Sequence, residues 1–323
     1  MIKTKKHGAY ILLITLLILV TSCSQKASLM EEDTIQINRK VVPTANGGGY
    51  TYGIYNMDGE IETTREFTIL SGESFSKILS FGNNYENVEN FKLIILSNFQ
   101  KVNFSVNNEI EDDFFDFTVG SEEHVQYIIN INSLANGKND LIYMIIRDGN
   151  NKSLDDKFRN STDFRNFVSH RCTVFIGELE EPTNEYKTME FTTMKNENIS
   201  GMVLTQNPTR LLRTTTIKTD GLEPENFYLH FGNGRETEKT YAIILLYDWE
   251  IKKIGEQEII CTTIPKKSMI TIPFMFSEFG EIGIHNLTAI AIEINRSGKK
   301  LNNSTLQNSL RIGIDVVSPA NLK

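Results

Sequence analysis

Phe231-Gly232-Asn233-Gly234, followed by the apolar run Tyr241 to Tyr247, decides the reading of this chain because it is written twice. Phe81-Gly82-Asn83-Asn84 stands 150 positions earlier and is followed by Phe91 to Leu96. In that register Leu93, Ile94, Ile95 and Leu96 fall on Ile243, Ile244, Leu245 and Leu246, and Phe99 falls on Trp249. Upstream, Phe67 falls on Ile217 and Leu79 on Leu229. One β-domain is repeated.

Working outward, the first copy shows strand-length runs at Arg65 to Leu70, Ser76 to Phe81, Phe91 to Leu96, Phe114 to Val119, Val125 to Ile131, Leu141 to Ile146 and Cys172 to Ile176, with Thr34 to Asn38 alternating ahead of them. Turn signals at Asn46 to Gly49, Met57 to Glu60, Gly120 to Glu123 and Asp148-Gly149 punctuate the runs. Lys152 to His170 is polar and reads as a loop with a helical turn beginning near Ser153. Glu178 to Tyr186 reads as the linker. The second copy repeats the scheme at Gly201 to Leu204, Arg213 to Lys218, Phe227 to Phe231, Thr240 to Tyr247, Glu256 to Thr262, Met269 to Phe276, Leu287 to Ile294 and Leu310 to Val317. Short strands without intervening amphipathic helices exclude a parallel α/β sheet and imply an all-β sandwich. Plentiful Asn, Ile, Thr and Phe with scarce Ala lean the same way.

The pattern of Gly-Asn turn, long apolar strand, Pro or Gly break and further strand resembles bacterial immunoglobulin-like modules, of the cell-adhesion-related (CARDB-type) and fibronectin type III-like kinds. It is carried by Phe231 to Gly234, Ile243 to Tyr247, Pro265, Ile272 to Phe276 and Gly283 to Ile292, and in the first copy by Gly82-Asn83, Leu93 to Leu96, Gly120, Tyr127 to Ile131 and Gly137 to Ile146. One departure is the hairpin after the long strand, where Asn98-Phe99 and Asp248-Trp249 replace an Asp-Gly. The resemblance implies extracellular structural or binding modules and no enzyme.

The N-terminus carries Lys3, Lys5 and Lys6, then a weakly polar-to-apolar run from Ala9 to Val20, then Val20-Thr21-Ser22-Cys23. The run is shorter than the ~20 residues a membrane-spanning helix needs and has the length of a signal peptide. Val20 to Cys23 resembles the lipobox of bacterial lipoprotein precursors, with Val20 where Leu is commonest. That resemblance implies cleavage after Ser22 and a diacylglycerol on Cys23. The expected organisation is a signal peptide over 1–22, the lipidated cysteine and tether over 23–33, and two tandem immunoglobulin-like β-sandwich domains over 34–180 and 187–323. The address is extracytoplasmic, lipid-anchored to the bacterial cell membrane, or to the outer membrane if the source has two.

Net charge is −8, and −8 − 3 = −11 once the three signal lysines are removed. Such acidity argues against nucleic acid, whose phosphates call for Lys and Arg. Cys172 and Cys261 sit at non-equivalent places in the two copies and read as separate free thiols. His124, His170, His230 and His285 lie apart from one another and from cysteine, so no zinc site is expected. Glu111-Asp112-Asp113 with Asp116, and Asp148 to Asn151 with Asp155 and Asp156, read as solvated acidic loops and not calcium loops. No Gly-x-Ser-x-Gly, phosphate loop or dinucleotide fingerprint occurs, and no cofactor is expected. Trp249, the single tryptophan, and its counterpart Phe99 are the candidate ligand-contact residues, either as a sugar platform or as apolar plugs at the sandwich edge. The expected function is a surface binding or assembly module with an envelope protein or polysaccharide partner. The alternatives are a glycan-binding lipoprotein and, further off, a solute-binding lipoprotein of a transporter.

Overall fold

The computed structural model describes residues 48–109, 111–160, 167–177, 188–195, 200–209, 211, 214–294 and 306–322. Cys23, the alternating Thr34 to Asn38 and the linker Glu178 to Tyr186 lie outside them. The rest is almost entirely strand.

In the first copy the strands are β1 (Tyr50–Tyr55), β2 (Glu66–Ile69), β3 (Phe75–Asn83), β4 (Glu89–Ser97), β5 (Gln100–Lys101), β6 (Ser105–Val106), β7 (Phe115–Val119), β8 (His124–Ile131), β9 (Gly137–Arg147) and β10 (Phe167–Ile176), with a short helix α1 (Asp156–Asn160) between the last two. The second copy supplies β11 (Thr193–Lys195), β12 (Gly201–Thr205), β13 (Thr216–Thr219), β14 (Glu225–Asn233), β15 (Lys239–Tyr247), β16 (Glu250–Lys252), β17 (Ile259–Ile264), β18 (Ser268–Phe276), β19 (Gly283–Ile294), β20 (Leu306–Asn308) and β21 (Ile312–Val316). The sheet orders are β1-β3-β8-β6 against β2-β10-β9-β4-β5 with β7 on β4, and β11-β18-β14-β12 against β13-β21-β19-β15-β16 with β17 on β15 and β20 on β19. In both, the first strand of the larger sheet runs parallel to the last, β2 with β10 and β13 with β21. The two copies are immunoglobulin-like β-sandwiches that share their central strands but differ at the edges, where β6 follows β5 in the first, β11 precedes β12 in the second, and β20 is added to the second; β3, β4 and their counterparts β14, β15 keep the 150-residue offset from end to end.

Alternation fills each sandwich. Phe91, Leu93 and Ile95 of β4 face the core of the first with Tyr143 and Ile145 of β9, and Tyr241, Ile243 and Leu245 of β15 face the core of the second with Phe227 and Phe231. The opposite faces of the same strands are buried as well. Ile94, Leu96, Ile142, Met144 and Ile146 of the first larger sheet pack against Ala242, Ile244, Leu246, Ile290 and Ile292 of the second, forming a third core between the sandwiches. Strands covered on both faces need a continuous apolar run, which is why Leu93 to Leu96 and Ile243 to Leu246 do not alternate. Re-exposing a fully buried aliphatic or aromatic side chain costs about 1.5–3 kcal/mol. The seam therefore makes one body of the two sandwiches, back to back.

The seam relates the copies by an approximate two-fold. Ser97 opposes Leu141 as Tyr247 opposes Leu287, so β9 and β19 correspond, and Cys172 opposes Leu141 as Ile312 opposes Leu287, so β10 and β21 correspond. The sandwiches run antiparallel along it. The turn at Gly149, beyond the end of β9, meets Trp249, at the foot of β15, through a 2.8 Å hydrogen bond from the indole Nε1 to the Gly149 carbonyl.

Candidate functional site

The residues nominated by the sequence sit in this seam. Phe99 and Trp249 follow Asn98 and Asp248 in two-residue hairpins with both φ values positive, 49° and 71° in the first copy and 47° and 73° in the second. That is the type I′ turn that fits the twist of flanking strands, normally supplied by Asn-Gly or Asp-Gly. An aromatic residue at such a φ is strained, and here the ring's burial offsets the strain. Phe99 is 2% and Trp249 6% exposed, both in the third core. A sugar platform needs an open aromatic face. These rings are used as plugs between the sandwiches, and what remains of Trp249 at the surface lines a cleft.

Buried arginines frame the Trp249 side. Arg311, fully buried, places its guanidinium 5.0 Å from the Trp249 ring and 6.0 Å from Phe167 and donates to the Asp148 carbonyl at 2.8 Å and to the Arg147 carbonyl. Burial lowers it to about 9, with Asp148 opposing and Arg159 adding to the effect. Arg159 of α1, also fully buried, donates from Nε to the Ser153 carbonyl at 2.7 Å and from Nη1 to Asn286 Oδ1 at 2.6 Å. The polar loop read from Lys152 onward thus docks the first sandwich onto the second. Its C-terminal part differs from the sequence reading: Phe167 to His170 already belongs to β10, because this stretch pairs with Met144 to Ile146 and Tyr143.

Where the seam reaches solvent beside Trp249 it opens into a cleft of about 190 Å³. Lys92, Lys101 and Lys152 of the first sandwich and Asp248 and Glu250 of the second line it. Lys101 Nζ meets Glu250 at 2.8 Å and also Asp113, Lys92 Nζ meets Asp116 at 2.8 Å, and Lys152 Nζ meets Asp248 at 2.7 Å. The Lys92 ammonium also lies 3.6 Å over the Phe114 ring. Asp248 is further held by His285 Nδ1 at 2.7 Å and the Asn286 amide at 2.9 Å. Burial pushes the Asp248 carboxyl up, but the bonds from Lys152, Asn286 and His285 outweigh it and hold the group below the usual carboxylate range. The acidic stretch Asp112 to Asp116 therefore serves as counter-charge to cleft lysines. Among the described residues no group of three or more His, Cys, Asp or Glu is placed to hold a metal ion.

The cysteines sit in different cores, Cys172 inside the first sandwich and Cys261 in the seam. His170 lies between the rings of Tyr52 and Tyr143, and His230 contacts Thr271 and the Asn207 carbonyl. Sequence reasoning missed Lys92, Lys101 and Lys152 as a group. They come together through strand register and the seam.

No protein-family model and no curated protein matches the chain. Among solved structures it is similar to red sea bream transglutaminase, at 9% identity over 83% of this chain and 32% of that one, TM-score 0.23. It is also similar to a CARDB domain from Pyrococcus furiosus in complex with di-metal ions, at 12% identity over 43% of this chain and 100% of that one, TM-score 0.26. The Salmonella enterica SafA pilin with the SafB chaperone gives 8% identity over 84% of this chain and 100% of that one, TM-score 0.25. The chain spans about a third of the transglutaminase.

Proposed function

We propose that this protein is a lipid-anchored extracytoplasmic lipoprotein of a bacterium that acts as a binding or assembly module and not as an enzyme. The observation that carries the reading is the order of parts: Lys3, Lys5 and Lys6, the apolar run to Val20, Cys23, and then a β-body whose sandwiches are locked together by a shared core. Two acyl chains hold a protein stably on a membrane, because each buried CH₂ contributes about 0.8 kcal/mol. A rigid body behind such an anchor presents loops and sheet edges in fixed relation to each other. Edges of open sheets are also available for strand addition by a partner.

Two measurements test the parts separately. Metabolic labelling with a palmitate analogue is expected to mark the wild-type chain and not Cys23→Ala, which leaves the membrane fraction; an unlabelled wild type overturns the address. Cross-linked pull-down from native envelopes is expected to return a stoichiometric protein partner or a wall polysaccharide. Recovery of neither overturns the binding reading.

A further inference from the structure

We propose that the outer edge of the first sandwich at the start of β8 is a strand-acceptor groove, and that its occupant is this chain's own stretch Val41 to Ala45, in the register that Phe191 to Lys195 take on the second sandwich. The proposal goes beyond the binding reading above and depends on neither the lipid anchor nor a partner.

The second copy shows the groove filled. Thr188 bridges Cys261 of β17, the Met189 amide donates to the Cys261 carbonyl at 2.7 Å, and β11 pairs Thr193 to Lys195 with Ile270 to Ser268 of β18. Between these points Phe191 packs on the second core. One segment thus crosses from the edge of one sheet to the edge of the other and closes that side of the sandwich. Beneath it Ile260 is 2%, Ile270 0% and Ile272 1% exposed.

The first copy has the same groove. Strand register places Phe115 at the position of Ile260, Val125 at that of Ile270 and Tyr127 at that of Ile272. These three side chains are only half-buried, although the rings of Phe115 and Tyr127 meet across the two sheets at 4.9 Å. Backbone groups face the groove as well. From the outer side of β8 the Asn107 amide donates to the Ile128 carbonyl at 2.8 Å, and Asn107 Oδ1 accepts from the Ile128 amide at 2.9 Å. Alternate residues of an antiparallel strand send their backbone groups to the same side, so those of Gln126 and His124 point outward too. Among the described residues the strand on this side of β8 is β6, which pairs only with Asn130 and Ile129. Such an edge is a ready template for a further strand.

The repeat names the occupant. Val41 to Ala45 lie outside the described residues and stand 150 positions before Phe191 to Lys195, the offset that β3 and β4 keep with β14 and β15. Six residues lead from Lys195 to Gly201, which opposes Gly232, and six from Ala45 to Thr51, which opposes Gly82. Val41 falls on Phe191, and Pro43 falls on Thr193, opposite Val125. Two apolar residues therefore meet the half-buried ones. Thr44 and Val42, at the places of Met194 and Thr192, bring their amides to His124 and Gln126. Pro43 comes between them, where its missing N–H points away from β8, and an edge strand accepts proline there.

The test is hydrogen exchange of the full chain in detergent, read by mass spectrometry. In the wild type, Val42, Thr44, His124 and Gln126 are expected to exchange at least about tenfold more slowly than an unstructured chain. Val42→Pro removes one donor and Val41→Asp places a charge against Phe115 and Tyr127; each is expected to release the amides of both stretches together. Unchanged exchange along β18 shows that the body of either variant remains folded. Wild-type exchange of residues 41–45 at the unstructured rate overturns the proposal, as does protection of His124 and Gln126 that persists in Val42→Pro. Protection lost on dilution, with a dimer mass by light scattering, assigns the groove to a second copy and overturns the pairing within one chain.

Discussion

Arg171 and Arg311 are the same residue of the two copies, and each reaches across the seam to the same carbonyl of the other. Arg171 Nη1 donates to the Glu293 carbonyl at 2.5 Å, and Arg311 Nη2 donates to the Arg147 carbonyl. Arg147 opposes Phe91 as Glu293 opposes Tyr241, so the two acceptors correspond. Even the local ion pairs correspond, with their charges exchanged: Arg147 bonds Glu89, and Glu293 bonds Lys239, 150 positions on from Glu89. Such mutual contacts are the mark of an isologous interface, here made within one chain.

Removal of Arg311 takes a charged donor from two carbonyls at the seam, of which that of Asp148 keeps the Asn151 amide. Arg311→Met is expected to cost about 2–4 kcal/mol, since a buried acceptor stripped of its partner costs about 1–3 kcal/mol and bonds from a charged donor are the stronger kind. Urea unfolding measures it. Arg171→Met is expected to cost less, because its other partner, Asp140, keeps access to water.

Trp249→Ala is expected to destabilise by about 3–5 kcal/mol through lost burial and the cavity left behind, whereas Trp249→Phe keeps most of the packing and loses the bond to Gly149. A loss under about 1 kcal/mol for the alanine variant, by urea unfolding, would contradict the plug role.

Gly149 leaves no room for a side chain. A Cβ there would stand 2.7 Å from Lys92 Cβ, an atom close to the backbone that cannot swing aside. Gly149→Ala is expected to cost about 1–3 kcal/mol by overpacking, seen as a lowered melting temperature and, because the loop lines the cleft, a changed Trp249 emission.

His170 imposes a pH dependence. Burial first, and Arg65 second, lower it from 6.5 to about 4. Between these values the unfolded chain binds more protons than the folded one, so stability is fully present above about pH 6.5 and is lost as pH falls toward 4. The effect is at most about 3 kcal/mol. Unfolding midpoints at pH 7 and 4.5 are expected to converge in His170→Gln.

Cys172 is expected to resist thiol reagents in the native state, since burial, with Asp140 adding to it, pushes its thiol up to about 12. Thiolate is the reactive form. Reaction at native pH as fast as in denaturant would contradict this.

The strands and their repeat were legible because local chemistry writes them: Gly-Asn turns, alternation, and the apolar run at Ile243. The same run also carried the sign of a doubly covered sheet, since Leu93 to Leu96 have no polar face to give to water. What sequence could not supply was the partner face, because Ile94 and Ile244 meet only through the tertiary arrangement. β1 escaped because Asn46 to Gly49, directly before it, read as a breaker; in the fold the Tyr55 ring lies over Gly53, 2.9 Å from where a Cβ would stand. The arginine pair was hidden by drift of the repeat. The offset is 150 at β4, 146 at Arg147 and Glu293, and 140 at Arg171 and Arg311, so no single alignment shift reveals it. Lys92 is a single charge within the run Phe91 to Leu96, and its cleft depends on the same seam.

The antiparallel seam also sets the molecule's reach. Gly49 accepts from Asn84 at the end of the first sandwich that carries the β3–β4 loop, and the Gly149 turn at that end touches the foot of the second, from which Val316 leads to the final turn Pro319–Asn321. Entry and exit of the described chain thus share one pole. The doubled chain is a hairpin of domains, one sandwich tall, and the opposite pole bears the β2–β3 and β8–β9 loops with no terminus among them.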